Sequence, residues 1–268
     1  MNATVGFLGY GRMAQAISEG LDKNGLVPYK RQMASDVARG LLEKLKEKRG
    51  FIAARDNRQL AEKCPIVVLA VKPHQVRGLL SEVGERVTKE QLVISIAAGV
   101  TLQTLAGGLP PDTPLVRVIP NLPALVGKGV TLLAAAPSAG KDDVDNARKI
   151  FSAVGDVVDL PEGMFNEGTA VSGSGPAYFF LVMEGMIRGA ARLGLSWDTA
   201  RRLVVRTCLG AAYAADSRPE LSLAELRDQV TSPGGTTAEG LLALEEGRIA
   251  ALFHEALKRA SEKGKNLA

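Results

Sequence analysis

Up to Pro161 the chain alternates short strand-like runs, most of them apolar, with stretches of helical spacing. The runs are residues 4–8, 31–35, 51–54, 66–71, 92–96 and 115–119, followed by 129–135 and 156–160. Residues 66–71, IVVLAV, contain no polar position, which predicts a central parallel strand covered on both faces. Between the runs, apolar residues recur at the period of a helix with one buried face. Met13, Ala16, Ile17, Gly20 and Leu21 form one such stripe, closed by Lys23 and Gly25. Ala38, Leu41, Leu42 and Leu45 form a second, and Val76, Leu79, Leu80 and Val83 a third. Asp56 and Asn57 are placed to cap a helix ending near Lys63, and Thr101 one reaching Leu109; another is expected over 142–154. Strands alternating with helices predict a doubly wound α/β sheet.

After Pro161 the strand rhythm stops. Helices are expected over 177–193, closed by Gly194, and from about 197 to 215. Another begins at Ser222, whose Ser222-x-x-Glu225 spacing is a capping box, and two more flank Gly247. In the helix AYFFLVMEGMIRGAARL the charged residues Glu184, Arg188 and Arg192 make one narrow stripe. A helix apolar on every other side must be buried nearly all round. A helical tail of this size can hardly bury it alone, so a subunit interface is expected, with a central helix of the monomer as the alternative. The domain boundary is expected at Pro161, giving residues 1–161 and 162–268.

Composition narrows the function classes. The 268 residues hold 33 Lys and Arg against 29 Asp and Glu, a net charge of +4 with no basic block. Such a balance does not argue for nucleic acid; it would suit an anionic cofactor or substrate, or be ordinary surface charge. Cys64 and Cys208 lie far apart in apolar settings and His74 and His254 are the two histidines, so no metal site is expected. Both cysteines read as buried packing groups. The N-terminus enters a strand directly, with no signal peptide, and no apolar run is long enough to span a bilayer. No membrane association is expected, and the expected compartment is the cytoplasm.

Candidate chemistry starts at TVGFLGYGRMA. Strand, Gly9-x-Gly11-x-x-Ala14 and amphipathic helix follow in the order of a dinucleotide-binding turn. Gly9 permits the tight turn, Gly11 admits a pyrophosphate, Ala14 lets the helix sit on the strand, and the helix N-terminus offers free N–H groups. The end of the second run, Ser35-Asp36-Val37-Ala38-Arg39, leaves the cofactor open. Ser35 and Arg39 favour a 2′-phosphate, Asp36 a bare 2′-hydroxyl or only a helix cap. Ala70-Val71-Lys72-Pro73, Ala97-Ala98-Gly99 and Asn121, held between Pro120 and Pro123, follow later strands, where ligands bind in such sheets. Ser172-Gly173-Ser174-Gly175-Pro176-Ala177-Tyr178 reads as a flexible link. Thr231-Ser232-Pro233-Gly234-Gly235-Thr236-Thr237 precedes a helix and could bind a carboxylate, or be only a cap after a loop.

Taken together, GFLGYGRMA, AVKP, SIAAGV, RVIPNLPA, VSGSGPAY and SPGGTT resemble the Δ1-pyrroline-5-carboxylate reductase family, in its order and across almost the whole chain. The resemblance implies a Rossmann-like doubly wound NAD(P)-binding domain followed by an all-α dimerisation domain. It implies a homodimer with interleaved C-terminal helices, larger rings of dimers occurring in the family. Cofactor contacts by matching position would be Leu8, Gly9, Tyr10, Gly11, Arg12, Met13, Ser35, Asn57, Ala70, Val71, Lys72, Pro73, Ala97, Ala98 and Gly99. The substrate loop would be Gly234, Gly235, Thr236 and Thr237, with Thr237 on the ring nitrogen as the catalytic residue. Glu220 matches a glutamate near the family's site, although PELSLAEL departs from the usual histidine-proline pattern there. Asp36 departs from the pattern that goes with NADPH, so NADPH and NADH both stay open. The implied reaction is hydride transfer to a cyclic C=N giving L-proline, without a metal.

Two other enzymes and one non-enzyme share parts of this pattern. A β-hydroxyacid dehydrogenase would need a lysine on the long helix, and residues 176–193 contain none. An imine reductase of another substrate class is separated only by SPGGTT. A non-catalytic NAD(P) sensor would bind cofactor without turnover.

Overall fold

The computed structural model describes residues 4–265. In chain order its elements begin β1 (Val5–Leu8), α1 (Arg12–Lys23), β2 (Gln32–Ser35), α2 (Arg39–Arg49), β3 (Ile52–Ala53) and α3 (Asn57–Lys63). There follow β4 (Ile66–Leu69), α4 (Val76–Val83), β5 (Leu92–Ser95), α5 (Leu102–Ala106), β6 (Leu115–Pro120), β7 (Gly129–Ala135), α6 (Lys141–Ser152) and β8 (Gly155–Asp159). The remainder is helical: α7 (Phe165–Ser172), α8 (Gly175–Arg192), α9 (Trp197–Asp216), α10 (Leu223–Asp228), α11 (Thr236–Glu246) and α12 (Ile249–Lys265).

The strands form one sheet in the order β3-β2-β1-β4-β5-β6-β7-β8. All neighbours are parallel except β6 and β7. The chain runs outward from β1 through β2 to β3, then returns to β4 on the other side of β1, so the order reverses between β1 and β4. Strand alternation divides the core into two layers. Phe7 packs in one layer with Ile17 of α1 and Phe151 of α6; Leu8 packs in the other with Leu60 of α3, Leu80 of α4 and Leu105 of α5. The expected central strand is β4, with Val68 in the first layer and Val67 and Leu69 in the second.

Several local expectations change. The second stripe buries only Leu42 and part of Leu45, while Leu41 is exposed. That helix borders the sheet's outer strands, which leave it little to cover. The helix capped by Thr101 stops at Ala106, before Gly107 and Gly108, rather than at Leu109. The expected flexible link at 172–178 is almost continuous helix. Ser172 ends α7, Gly173 and Ser174 keep right-handed helical angles, and α8 starts at Gly175. Cys64 is buried, but Cys208 is only half-buried in this chain.

The chain divides into two compact units, residues up to 173 with those from 260 onward, and residues 174–259. Pro161 marks the change from strands to helices, but α7 belongs to the first unit. Its Phe165 is buried with Ile119 and Leu132 of the sheet. In the second unit, Ile187, Ala200 and Val204 form a small core between α8 and α9. On the same two helices Phe179, Phe180, Leu181, Met186, Leu203, Leu209 and Tyr213 are more than half exposed. No helix among the described residues is long and apolar enough to cross a membrane.

Candidate active site

The turn after β1 is built for close approach. Gly9 has φ of +90°, and a Cβ there would lie 2.8 Å from the carbonyl oxygen of Ala70. Ala70 follows β4, so this contact falls at the point where strand order reverses. Gly11 caps α1 without a side-chain partner, and a Cβ on it would meet nothing within 4 Å. The first turn of α1 carries no acidic residue and opens with the exposed Arg12. Free N–H groups, a positive helix end and an open approach suit the diphosphate of a dinucleotide. Ala14 is buried, as close packing of the helix requires.

The loops after neighbouring strands line up along the same sheet edge. The Gly9 N–H donates to the Ser35 carbonyl, the Ala70 N–H to Leu8, and the Ile96 N–H to Leu69. Residues 8–13, 35, 70–73 and 97–99 of the expected cofactor set therefore cluster at one end of the sheet. Lys72 is exposed, Ala97 buried, and Gly99 adopts a φ of +76°. Asn57 joins them because its Oδ1 accepts the Ser35 hydroxyl at 2.7 Å. The Tyr10 side chain turns away from this edge. Its ring packs on Phe7 and Phe51, its hydroxyl pairs with Ser18 at 2.6 Å, and burial pushes its pKa upward. Asn121 is also structural. Its amide donates to the Ser172 carbonyl and accepts from the Val130 N–H, tying the β6–β7 connection to the end of α7.

Sequence reasoning singled out Asp36 but not its bond to the glycine turn, and it missed Glu82 altogether. Asp36 reaches back to the glycine turn, accepting the Tyr10 N–H at 2.7 Å as well as the Ala38 N–H at 2.8 Å. Glu82 on α4 accepts from Asn57 Nδ2 at 2.8 Å. It lies too far along the chain for any spacing rule to connect them.

In the second unit, Gly234 has φ of +66° and the Gly235 N–H donates to the Ser232 carbonyl at 2.9 Å. This turn delivers Gly235 as the cap of α11, with no side chain satisfying the helix end. Thr236 is exposed and Thr237 half-buried on its first turn. Glu220 is exposed in the connection between α9 and α10. Among the described residues no group of three or more His, Cys, Asp or Glu could hold a metal.

Comparisons with known proteins decide the family. Residues 162–267 match the family model for pyrroline-5-carboxylate reductase dimerisation. The pyrroline-5-carboxylate reductase of Methanosarcina acetivorans is 41% identical over 266 residues, 99% of this chain and 98% of that protein. The chain belongs to the pyrroline-5-carboxylate reductase family. Residues 4–99 match a second model, described as NADP oxidoreductase, coenzyme F420-dependent. The structure of the pyrroline-5-carboxylate reductase of Coxiella burnetii superposes with a TM-score of 0.94 at 40% identity, covering 100% of this chain and 99% of that one. The Plasmodium falciparum pyrroline carboxylate reductase, solved with NADP bound, superposes at 0.86 with 28% identity, covering 99% and 98%. The fold of this family, a Rossmann-like domain followed by a helical dimerisation domain, is the fold of this chain.

Proposed function

We propose that this chain is an NAD(P)H-dependent oxidoreductase reducing the C=N bond of 1-pyrroline-5-carboxylate to L-proline, the last step of proline synthesis. The near-full-length match to pyrroline-5-carboxylate reductases carries this reading. The uncapped glycine turn supports it by fitting a dinucleotide diphosphate. When bound, reduced nicotinamide supplies a hydride to the imine carbon, and the ring nitrogen of the protonated imine keeps its proton. A protonated imine is already strongly electrophilic, so the protein's task is orientation.

Residues 1–161 serve as the NAD(P)-binding domain and residues 162–268 as the substrate-binding and dimerisation domain. Leu8, Gly9, Tyr10, Gly11, Arg12 and Met13 line the diphosphate, which the N–H groups at the uncapped start of α1 hold. Ser35 and Asn57 flank the adenosine ribose. Ala70, Val71, Lys72 and Pro73, with Ala97, Ala98 and Gly99, flank the nicotinamide. Gly234 and Thr236 direct N–H groups at the substrate carboxylate, and Gly235, whose own N–H is held by the Ser232 carbonyl, shapes the turn that presents them. The Thr237 hydroxyl accepts from the imine nitrogen, and Glu220 lies near the substrate loop. The exposed apolar side chains of α8 and α9 support a homodimer with interleaved helices; a larger ring of dimers, as occurs in the family, rests on the resemblance alone. The cytoplasm is the compartment.

Loss of NADPH absorbance on adding pyrroline-5-carboxylate tests the activity. Thr237→Ala is expected to lower kcat by on the order of 100-fold with cofactor affinity little changed. Undiminished turnover would remove Thr237 from the site. Tight cofactor binding without turnover of any cyclic imine would favour a sensor instead.

A further inference from the structure

We infer that the ribose end of the nucleotide site selects NADH over NADPH, with Asp36 as the selecting residue; this rests on the cofactor reading above. The distinction between the two cofactors is a hydroxyl against a phosphate on one ribose carbon. A ribose hydroxyl can donate a hydrogen bond; a phosphate at neutral pH is essentially an acceptor and carries about two negative charges. The groups at the end of β2 can therefore be sorted by what they still offer.

The Asp36 carboxylate offers only acceptors. Two main-chain N–H groups, from Tyr10 at 2.7 Å and Ala38 at 2.8 Å, hold its carboxylate against the glycine turn, one on each oxygen. It cannot swing away without freeing both. Ser35 is buried and gives its only proton to Asn57 Oδ1 at 2.7 Å. The Asn57 amide in turn donates to Glu82 at 2.8 Å, which brings a second carboxylate to this corner. Arg39, the obvious counter-ion for a phosphate, directs Nη1 at the Ala54 carbonyl and Nη2 at the Arg55 carbonyl, at 2.7 and 2.6 Å. Arg55 itself pairs with Asp56 at 3.1 Å. The corner thus presents fixed acceptors and negative charge, while its best donors are committed to protein oxygens. That chemistry matches a donating hydroxyl and repels a phosphate.

Calorimetric titration with NAD+ and NADP+, alongside kcat/KM for NADH and NADPH, tests the selector in the full chain. The unmodified protein should bind NAD+ roughly tenfold or more tighter, and kcat/KM should favour NADH to a similar degree. Asp36→Ser should shrink that ratio roughly tenfold or invert it. Because Asp36→Ser also loosens the glycine turn, Asp36→Asn provides a second variant that keeps an acceptor and removes the charge. It should shift the ratio in the same direction. Preference of the unmodified protein for NADP+, or an unchanged ratio in both variants, overturns the assignment, as does failure to bind either nucleotide. Selective NAD+ binding without turnover of pyrroline-5-carboxylate would leave Asp36 as the selector and sink the proposed reaction instead.

Discussion

Phe7 in the first unit is fully buried, whereas Phe180 in the second is 55% exposed. The contrast extends to their surroundings. The first unit closes two core layers around its sheet within one chain, and nearly every apolar residue of β1, β4 and β5 lies inside them. The second buries Ile187, Ala200 and Val204 between two helices, covers Met183 and Ala190 in part, and leaves side chains such as Phe179, Leu181, Leu209 and Tyr213 more than half exposed. Within the single chain the first unit covers its own apolar surface, whereas the second leaves contiguous apolar area in water, which is unfavourable.

The widest test of that contrast places the same charge on both units. Leu181→Arg on α8 should break the oligomer and cost upwards of about 3 kcal/mol if that face is covered by a second copy. Val37→Arg, at a side chain even more exposed in the single chain, should leave assembly unchanged. Light scattering after size exclusion reads both, and equal masses for the two variants would end the distinction.

A smaller effect probes how the first unit secures its edge. Arg117 on β6 is buried, pairs with Glu162 at 2.7 Å and stacks its guanidinium 4.7 Å from the centre of the Phe165 ring. Glu162 also accepts the Leu102 N–H at 2.7 Å, joining α5 to the turn that leads into α7. Glu162→Ala would strand the buried guanidinium and should cost about 3 kcal/mol, measured as a shift of the urea transition of the first unit. No shift would mean that α7 is held by its apolar contacts alone.

The smallest effect is a pH dependence confined to the first unit. Burial raises the Cys64 thiol from its ordinary 9.0 to about 12, and the Tyr29 hydroxyl from 10.0 to about 12 by the same cause. In unfolded chains these groups ionise at their ordinary values. Their contribution is therefore intact below about pH 9 and is lost as pH rises toward 12. Cys64 alone should lower stability by about 1 kcal/mol at pH 10. Melts between pH 8 and 10.5 should show the decline, and Cys64→Ala should flatten it.

Legibility followed the range of the interactions involved. The stripe Val76, Leu79, Leu80 and Val83 was readable and is fully buried, because helical period and one buried face are local properties. The Asp56 and Thr101 caps were readable for the same reason, each accepting from an N–H three residues on. Leu41 misled because its fate depends on how far the sheet extends beneath α2. The segment 172–178 misled because serine and glycine signal loops, while these residues keep helical angles between α7 and α8. Of the nucleotide corner, Gly9, Gly11, Ser35 and Asp36 were visible as a motif. The Tyr10-to-Asp36 and Asn57-to-Glu82 bonds were not, since they join residues 26 and 25 positions apart.

By itself the sequence determined the order of strands and helices, the glycine turn and the family, all encoded in short-range periodicity and contiguous motifs. Only the tertiary structure decided that Asp36 faces the glycine turn, that Arg39 is committed to carbonyls, and that α7 packs with the sheet. Those outcomes depend on which distant groups compete for the same few donors and acceptors, and that competition begins only once the chain is folded.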